Sequence, residues 1–222
     1  MSVNVQGSEF VLQEGKVKVT SKVVKDSKPY LITELNIPVI SGVKDSKIEE
    51  SINKVLYNDA TNFKNIIEAS ALENYNSLLK AGVEVTPFQA ITKYNLHYLK
   101  DYLSLIVTYY EYRGGAHGIY SVVPYNYNLK TGERLQIKDL FKEGYDYKSI
   151  INKEILAEIS KNPDSYFKDA FKSIKENTDF YLTKDGIVIY FQLYEIAPFA
   201  AGNPEFLIPY SKISQGLKIR FN

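Results

Sequence analysis

Residues 92–129 read TKYNLHYLKDYLSLIVTYYEYRGGAHGIYSVVPYNYNL, and the reading of this stretch decides the fold class. Tyr94, Leu96 and Tyr98 alternate with polar neighbours, a break falls near Asp101, and Leu103, Leu105, Val107 and Tyr109 resume the alternation. A period of two puts every second side chain on one face of a pleated strand. A third run, Ile119 to Leu129, follows the glycine-rich connection RGGAHG at Arg113 to Gly118. It ends in the turn signal Lys130-Thr131-Gly132-Glu133, before a short Leu135 to Ile137 run. Three alternating runs joined by short turns predict an antiparallel meander.

Upstream, Val17, Val19, Ser21 and Val23 alternate with Lys16, Lys18, Thr20 and Lys22, which predicts a half-buried strand with a basic outer face. A turn is expected at Lys25 to Pro29. On the return, Leu31, Thr33, Leu35, Ile37 and Val39 share one face, so the two runs should pair as an antiparallel hairpin, with Pro38 near its end, where a missing N–H is tolerated. Ser46 and Glu49 have capping-box spacing. Behind them Ile48, Ile52, Val55, Leu56, Phe63, Ile66 and Ile67 make the apolar stripe of a long helix over Ser46 to Lys80, with Asn58, Asp59, Lys64 and Asn65 around the other side and Gly82 as its stop.

Downstream of the meander, Ile150, Ile151, Ile155 and Ile159 mark a second amphipathic helix over Lys148 to Ser160, ended by Asn162-Pro163. A weaker helical piece is expected around Phe167, Phe171 and Ile174. Phe180 to Leu182 and Ile187 to Phe191 flank Lys184-Asp185-Gly186, a hairpin turn whose glycine suits a positive φ. Phe206 to Tyr210 and Leu217 to Phe221 are the last two strand candidates. The sum is an α+β fold: a mainly antiparallel sheet packed by one long and one shorter amphipathic helix, in two lobes of one compact unit. The composition places the lobe boundary near Gly82 to Pro87, giving 1–86 and 87–222.

Lys and Arg number 27 against 26 Asp and Glu, so no basic excess points to nucleic acid. The absence of cysteine excludes disulfides, thiolate metal sites and a cysteine nucleophile, and is compatible with export. The first residues, MSVNVQGSEF, lack the charged start and apolar run of a signal peptide, and no apolar stretch approaches the roughly 18–20 residues that span a bilayer.

His117, one of two histidines, invites a metal or proton-transfer role, because imidazole ligates metals and titrates near neutrality. No HxxxH, HxH or Asp-rich pattern surrounds it, so no metal is expected, and three nearby glycines favour a tight strand connection. Glu195, among apolar neighbours, could be a general acid with Glu205 as its partner, the pairing glycosidases use. The other reading has Pro198, Gly202 and Pro204 stiffening a broad loop anchored by Ile196 and Phe199. No GxSxG, SxxK, Walker or GxGxxG pattern occurs, so no nucleotide or other cofactor is expected. The 19 tyrosines could stack on sugars or anchor an interface, and equally suit half-buried strands. Loops whose shape is specified by glycine and proline, yet which carry aromatic and charged groups, are the natural contact surface. Arg113, His117, Tyr194, Glu195, Phe199 and Asn203 are the candidate ligand-binding residues.

The segment Gln192 to Tyr210, QLYEIAPFAAGNPEFLIPY, together with RGGAHG at Arg113 to Gly118, resembles an extracytoplasmic domain family of unknown function. Its members include the outer domain of a lysozyme-sensing anti-sigma factor and the amino-terminal non-catalytic domain of a peptidoglycan deacetylase. The resemblance implies a non-enzymatic exported sensor or cell-envelope binding module, secreted or anchored through a segment absent from this chain, with Met1 and Ser2 in place of a leader. The implied partner is a secreted protein such as lysozyme or a peptidoglycan-related glycan. The alternative is a cell-wall glycan hydrolase using the loop carboxylates Glu195 and Glu205, with His117 beside them.

Overall fold

The computed structural model describes residues 17–218. Strands β1 (Lys18–Lys28) and β2 (Leu31–Ser41) form the expected hairpin, turning on Pro29 and Tyr30 rather than over Lys25 to Pro29. Helix α1 (Ser46–Lys80) leads to β3 (Phe88–Leu99), which pairs with β2 in parallel, the β2-α1-β3 unit supplying the crossover that parallel neighbours need. Strands β4 (Tyr102–Tyr112) and β5 (Ile119–Asn128) complete the meander, so one five-stranded sheet runs β1-β2-β3-β4-β5. After helix α2 (Tyr147–Ile159), strands β6 (Phe180–Leu182), β7 (Gly186–Tyr190) and β8 (Glu205–Pro209) make an antiparallel three-stranded sheet, and the short helix α3 (Tyr210–Ile213) follows. The α+β class read from the sequence is borne out. Strands from either side of Gly82–Pro87 share the larger sheet.

The layers stack as helix, sheet, sheet, helix. Leu35 and Ile37 of β2 with Leu103, Leu105, Val107 and Tyr109 of β4 pack under Ile52, Leu56 and Ala60 of α1. On the opposite face Ile106 and Val122 meet Tyr181, Val188 and Tyr190 of the second sheet. That sheet's far side, with Leu182, Ile187, Ile189 and Ile208, packs on Ile151 and Ile155 of α2. Covered on both faces, β6 and β7 are continuous apolar runs without alternation, as burial on two sides requires.

Several local expectations shift. The cap of α1 is Asp45, whose carboxylate accepts the Lys47 N–H at 2.9 Å, while Glu49 reaches back to the Val43 N–H. Gly82 at φ +66° does end the helix, where the Val83 N–H donates to Leu78 O. Ile66 is 62% exposed and Ala60 and Ala71 are buried instead, small side chains that let the helix lie close on the sheet. Asp59 turns inward to accept a hydrogen bond from Tyr125. In the first strand run Val17 and Val19 pack on the core as expected, but further along it is Val24 that packs there and Val23 that is exposed; Lys22 lies opposite Ile37, its ammonium 4.5 Å from the centre of the Tyr57 ring. In β2 the burial switches after Ile37, so that Ile40 rather than Val39 is enclosed.

The β3–β4 register shifts between Leu96 and Tyr98, a bulge that turns both His97 and Tyr98 towards the second sheet, so Tyr98 does not share a face with Tyr94 and Leu96. The Leu135 to Ile137 run is a single bridge, Arg134 to Tyr127, followed by a 3-10 turn over Ile137–Leu140. No helix forms around Phe167 to Ile174; Phe171 and Ile174 plug the second core from irregular chain. Gly186 opens β7 without a positive φ. It is needed because a Cβ there would collide with the backbone carbonyl of Ile208. Of the Leu217 to Phe221 strand, Leu217 makes one bridge to Phe141, and residues 219–221 lie outside the described part.

Candidate functional site

The three-stranded sheet covers only part of the larger sheet's second face. Beside it lies an open groove of about 540 Å³ lined by Gln89, Ile91 and Lys93 of β3, Thr108 and Tyr110 of β4, and Tyr120 of β5. Strand register explains the set: Ile91 pairs with Tyr110 and Tyr110 with Tyr120, one row across three strands. Period-two geometry puts that row on the face away from α1.

The two loops singled out in the sequence border this groove and touch each other. The β4–β5 connection passes through Gly114 and Gly115 at positive φ to His117, whose Nδ1 lies 2.9 Å from Gly118 O. After β7 the chain runs through Tyr194, at φ +63°, into the 3-10 turn Phe199–Ala201. His117 stacks on Phe199 with ring centres 4.9 Å apart, and Tyr194 meets the same ring at 5.8 Å. Gly118 is where the loop joins the groove, since a Cβ there would overlap the Tyr110 ring. Gly202, at φ +67°, lies near the Tyr120 hydroxyl without such crowding. The result is an aromatic ridge of His117, Phe199 and Tyr194 continuing into a groove walled by Tyr110 and Tyr120. Tyr194 is 53% exposed despite its size.

The remaining candidates have other duties. Arg113 turns away to Glu111, 2.8 Å from its Nε, and to Ser70 of α1. Asn203 donates to Phe191 O and ties the loop to the end of β7. The Glu195 carboxylate accepts the Gln192 N–H three residues back, closing its own turn, while Glu205 accepts the Tyr181 hydroxyl. The two carboxylates thus have separate partners and no shared one. Among the described residues no group of three or more His, Cys, Asp or Glu is placed to hold a metal ion, and no helix is long and apolar enough to cross a membrane.

Tyr110 and Tyr120 were legible only as two of many tyrosines that could either stack on a ligand or fill a half-buried strand, because nothing local says which face a second sheet leaves open. Also missed were Asp179, Arg134 and Gln192, which line one cleft at the edge of β5. The Gln192 side chain donates to Val122 O and accepts the Val122 N–H, imitating a neighbouring strand. Its position as the first residue of the quoted loop was the one signal available.

Fold and site together define a two-sheet α+β module with an exposed aromatic loop cluster, and the resemblance read from its sequence is borne out. Residues 24–120 match the family described as deacetylase PdaC, and residues 138–211 match the protein family of unknown function DUF3298. Over 212 residues the chain is 29% identical to the peptidoglycan-N-acetylmuramic acid deacetylase PdaC of Bacillus subtilis, a match covering 84% of this chain and 43% of that protein. It is 26% identical over 202 residues to the anti-sigma-V factor RsiV of the same organism, covering 86% of this chain and 67% of RsiV. The chain therefore spans less than half of the deacetylase. A crystal structure of a DUF3298 member from Bacteroides fragilis shares the fold with a TM-score of 0.70 at 23% identity, covering 92% of this chain and 95% of that one. A Pseudomonas aeruginosa DUF3298 protein does so at 0.54 and 15%, covering 93% and 95%.

Proposed function

We propose that this chain is an extracytoplasmic, non-enzymatic recognition module of the cell envelope, whose partner is a secreted protein such as lysozyme or a peptidoglycan-related glycan. The observation that carries the reading is the meeting of the two loops on Phe199, which holds His117 and Tyr194 in one ridge beside the Tyr110–Tyr120 groove. Large, rigid rings with few rotatable bonds are the side chains that anchor interfaces and stack on sugars with little entropy loss. The similarity to an anti-sigma factor and to a peptidoglycan deacetylase supports the envelope setting. Glu195 closes a turn in this reading and performs no chemistry.

Lysozyme and soluble peptidoglycan fragments, titrated separately against the wild type, Tyr194→Ala and Phe199→Ala, test it. One of the two ligands should bind, and truncation of an anchor should cost about 2 kcal/mol or more, roughly thirtyfold in affinity. Failure of both ligands to bind well-folded protein, or equal binding by all three proteins, overturns the proposal, as does release of products from peptidoglycan that Glu195→Gln abolishes.

A further inference from the structure

A second concavity, of about 300 Å³, lies along the outer edge of β5, between that strand and the Glu176–Phe180 segment. Its polar lining converges from three places in the chain: Arg134 and Gln136 after β5, Glu176 and Asp179 before β6, and Gln192 after β7. Apolar walls of Val122, Pro124 and Phe180 complete it. The edge of β5 cannot accept another strand here. Pro124 has no N–H, its carbonyl takes the Arg134 guanidinium at 2.7 Å, and both Val122 backbone groups are held by Gln192.

The charges in this cleft are positioned without being neutralised. Arg134 is fixed by its bond to Pro124 O and by the Tyr125 ring 4.8 Å away, and among the described residues no carboxylate lies within ion-pair distance of it. Asp179 receives one side-chain hydrogen bond, 2.7 Å from the neutral Gln192 amide, and among the described residues no cation lies within ion-pair distance of it. Its acidic neighbours are engaged elsewhere, Glu195 on the Gln192 N–H and Glu176 towards Lys148 at 3.9 Å. Burial pushes the Asp179 carboxyl above its ordinary range, outweighing the Gln192 hydrogen bond and the more distant Arg134 charge, which both act to lower it. A guanidinium has donors to spare for a carboxylate, and a half-buried carboxylate gains most from an ammonium.

From this geometry we infer that the β5-edge cleft is a binding site for a small zwitterion, a free amino acid or short peptide, with its ammonium on Asp179 and its carboxylate on Arg134. The volume is at the small end of ligand sites and suits one or two residues. The site is separate from the aromatic ridge and does not depend on the function proposed for it.

Calorimetric titration of the full chain with alanine and with glycyl-alanine, each also as its N-acetyl and C-amide derivative, tests the assignment. At least one free zwitterion should bind saturably, and blocking either end should weaken it about tenfold or more. Preference for alanine or for glycyl-alanine distinguishes a free amino acid from a peptide. Asp179→Asn, which keeps an acceptor for Gln192, should remove the penalty for acetylation, and Arg134→Gln the penalty for amidation. No saturable binding of either zwitterion to the wild type, or a penalty at one end only, overturns the proposal whether or not the variants fold.

Discussion

At Gly118 a single hydrogen atom in place of a side chain lets the Tyr110 ring lie against the loop backbone and form the groove wall. Gly118→Ala should displace that ring and cost on the order of 1–3 kcal/mol, the usual penalty for overpacking a close contact. Urea denaturation reads the cost, and the tyrosine ring signals of the folded protein read the displacement. His97 shows a different residue-scale effect. The bulge sets its ring on Tyr181, with centres 3.9 Å apart, and leaves the buried Nε2 without a hydrogen-bond partner among the described residues. Burial holds the imidazole below its ordinary range, so the folded protein takes up that proton at lower pH than the unfolded chain. The stability tied to neutral His97 is fully present above the unfolded value of about 6.5 and is lost as pH falls through the window below it. His97→Phe keeps an aromatic stack and cannot titrate. Its stability relative to wild type should therefore rise as pH is lowered from about 7 to about 5, as measured by urea unfolding at each pH. A constant difference across that range would remove His97 from the pH response.

At the scale of elements, α1 is held to the larger sheet by more than its apolar stripe. Tyr109 of β4 and Tyr125 of β5, on the same face four residues apart in register, share a hydrogen bond of 2.7 Å, and Tyr125 donates to Asp59 of the helix at 2.9 Å. Burial pushes the Tyr109 phenol up to about 12 and Tyr125 higher still, so both remain protonated and can donate throughout the ordinary pH range. Tyr125→Phe leaves the Asp59 carboxylate facing the sheet without its donor and should cost about 1–3 kcal/mol. The double variant Tyr125→Phe/Asp59→Ala should cost less than the sum of the single changes, because the carboxylate that suffers is gone. Additive losses in chemical denaturation would mean that the pair is not energetically coupled.

Across the whole molecule, the two sheets are joined by a buried polar link as well as by apolar packing. Ser104 donates to Asn126 Oδ1 at 2.6 Å, Asn126 Nδ2 donates to Phe180 O at 2.7 Å, and the Leu182 N–H donates to the Ser104 hydroxyl at 2.8 Å. The side chains of β4 and β5 thereby satisfy backbone groups of β6, the edge strand of the smaller sheet. Asn126→Ala removes the partner of a buried carbonyl and should cost about 2–3 kcal/mol. Hydrogen exchange should show it first at the Leu182 amide, with β3 to β5 still protected; equal loss of protection in both sheets would mean that they unfold as one unit.

The sequence by itself determined what depends on neighbours along the chain. Alternation over Tyr94 to Leu129, the 3.6-residue stripe behind Ser46, the stop at Gly82 and the apolar runs of β6 and β7 are local patterns, and they yielded the α+β class, the two longer helices and most strands. The two glycine- and proline-shaped loops were legible for the same reason. What required tertiary structure was every relation between distant segments: the parallel pairing of β2 with β3, the bulge that turns His97 and Tyr98 to one side, and the stacking of His117 on Phe199. Whether Tyr110 faces a groove or a core, and whether Arg134 comes near Asp179, depends on where one sheet lies over another. No periodicity records that placement, because it is set by which buried surfaces and hydrogen-bonding groups can be satisfied together in space.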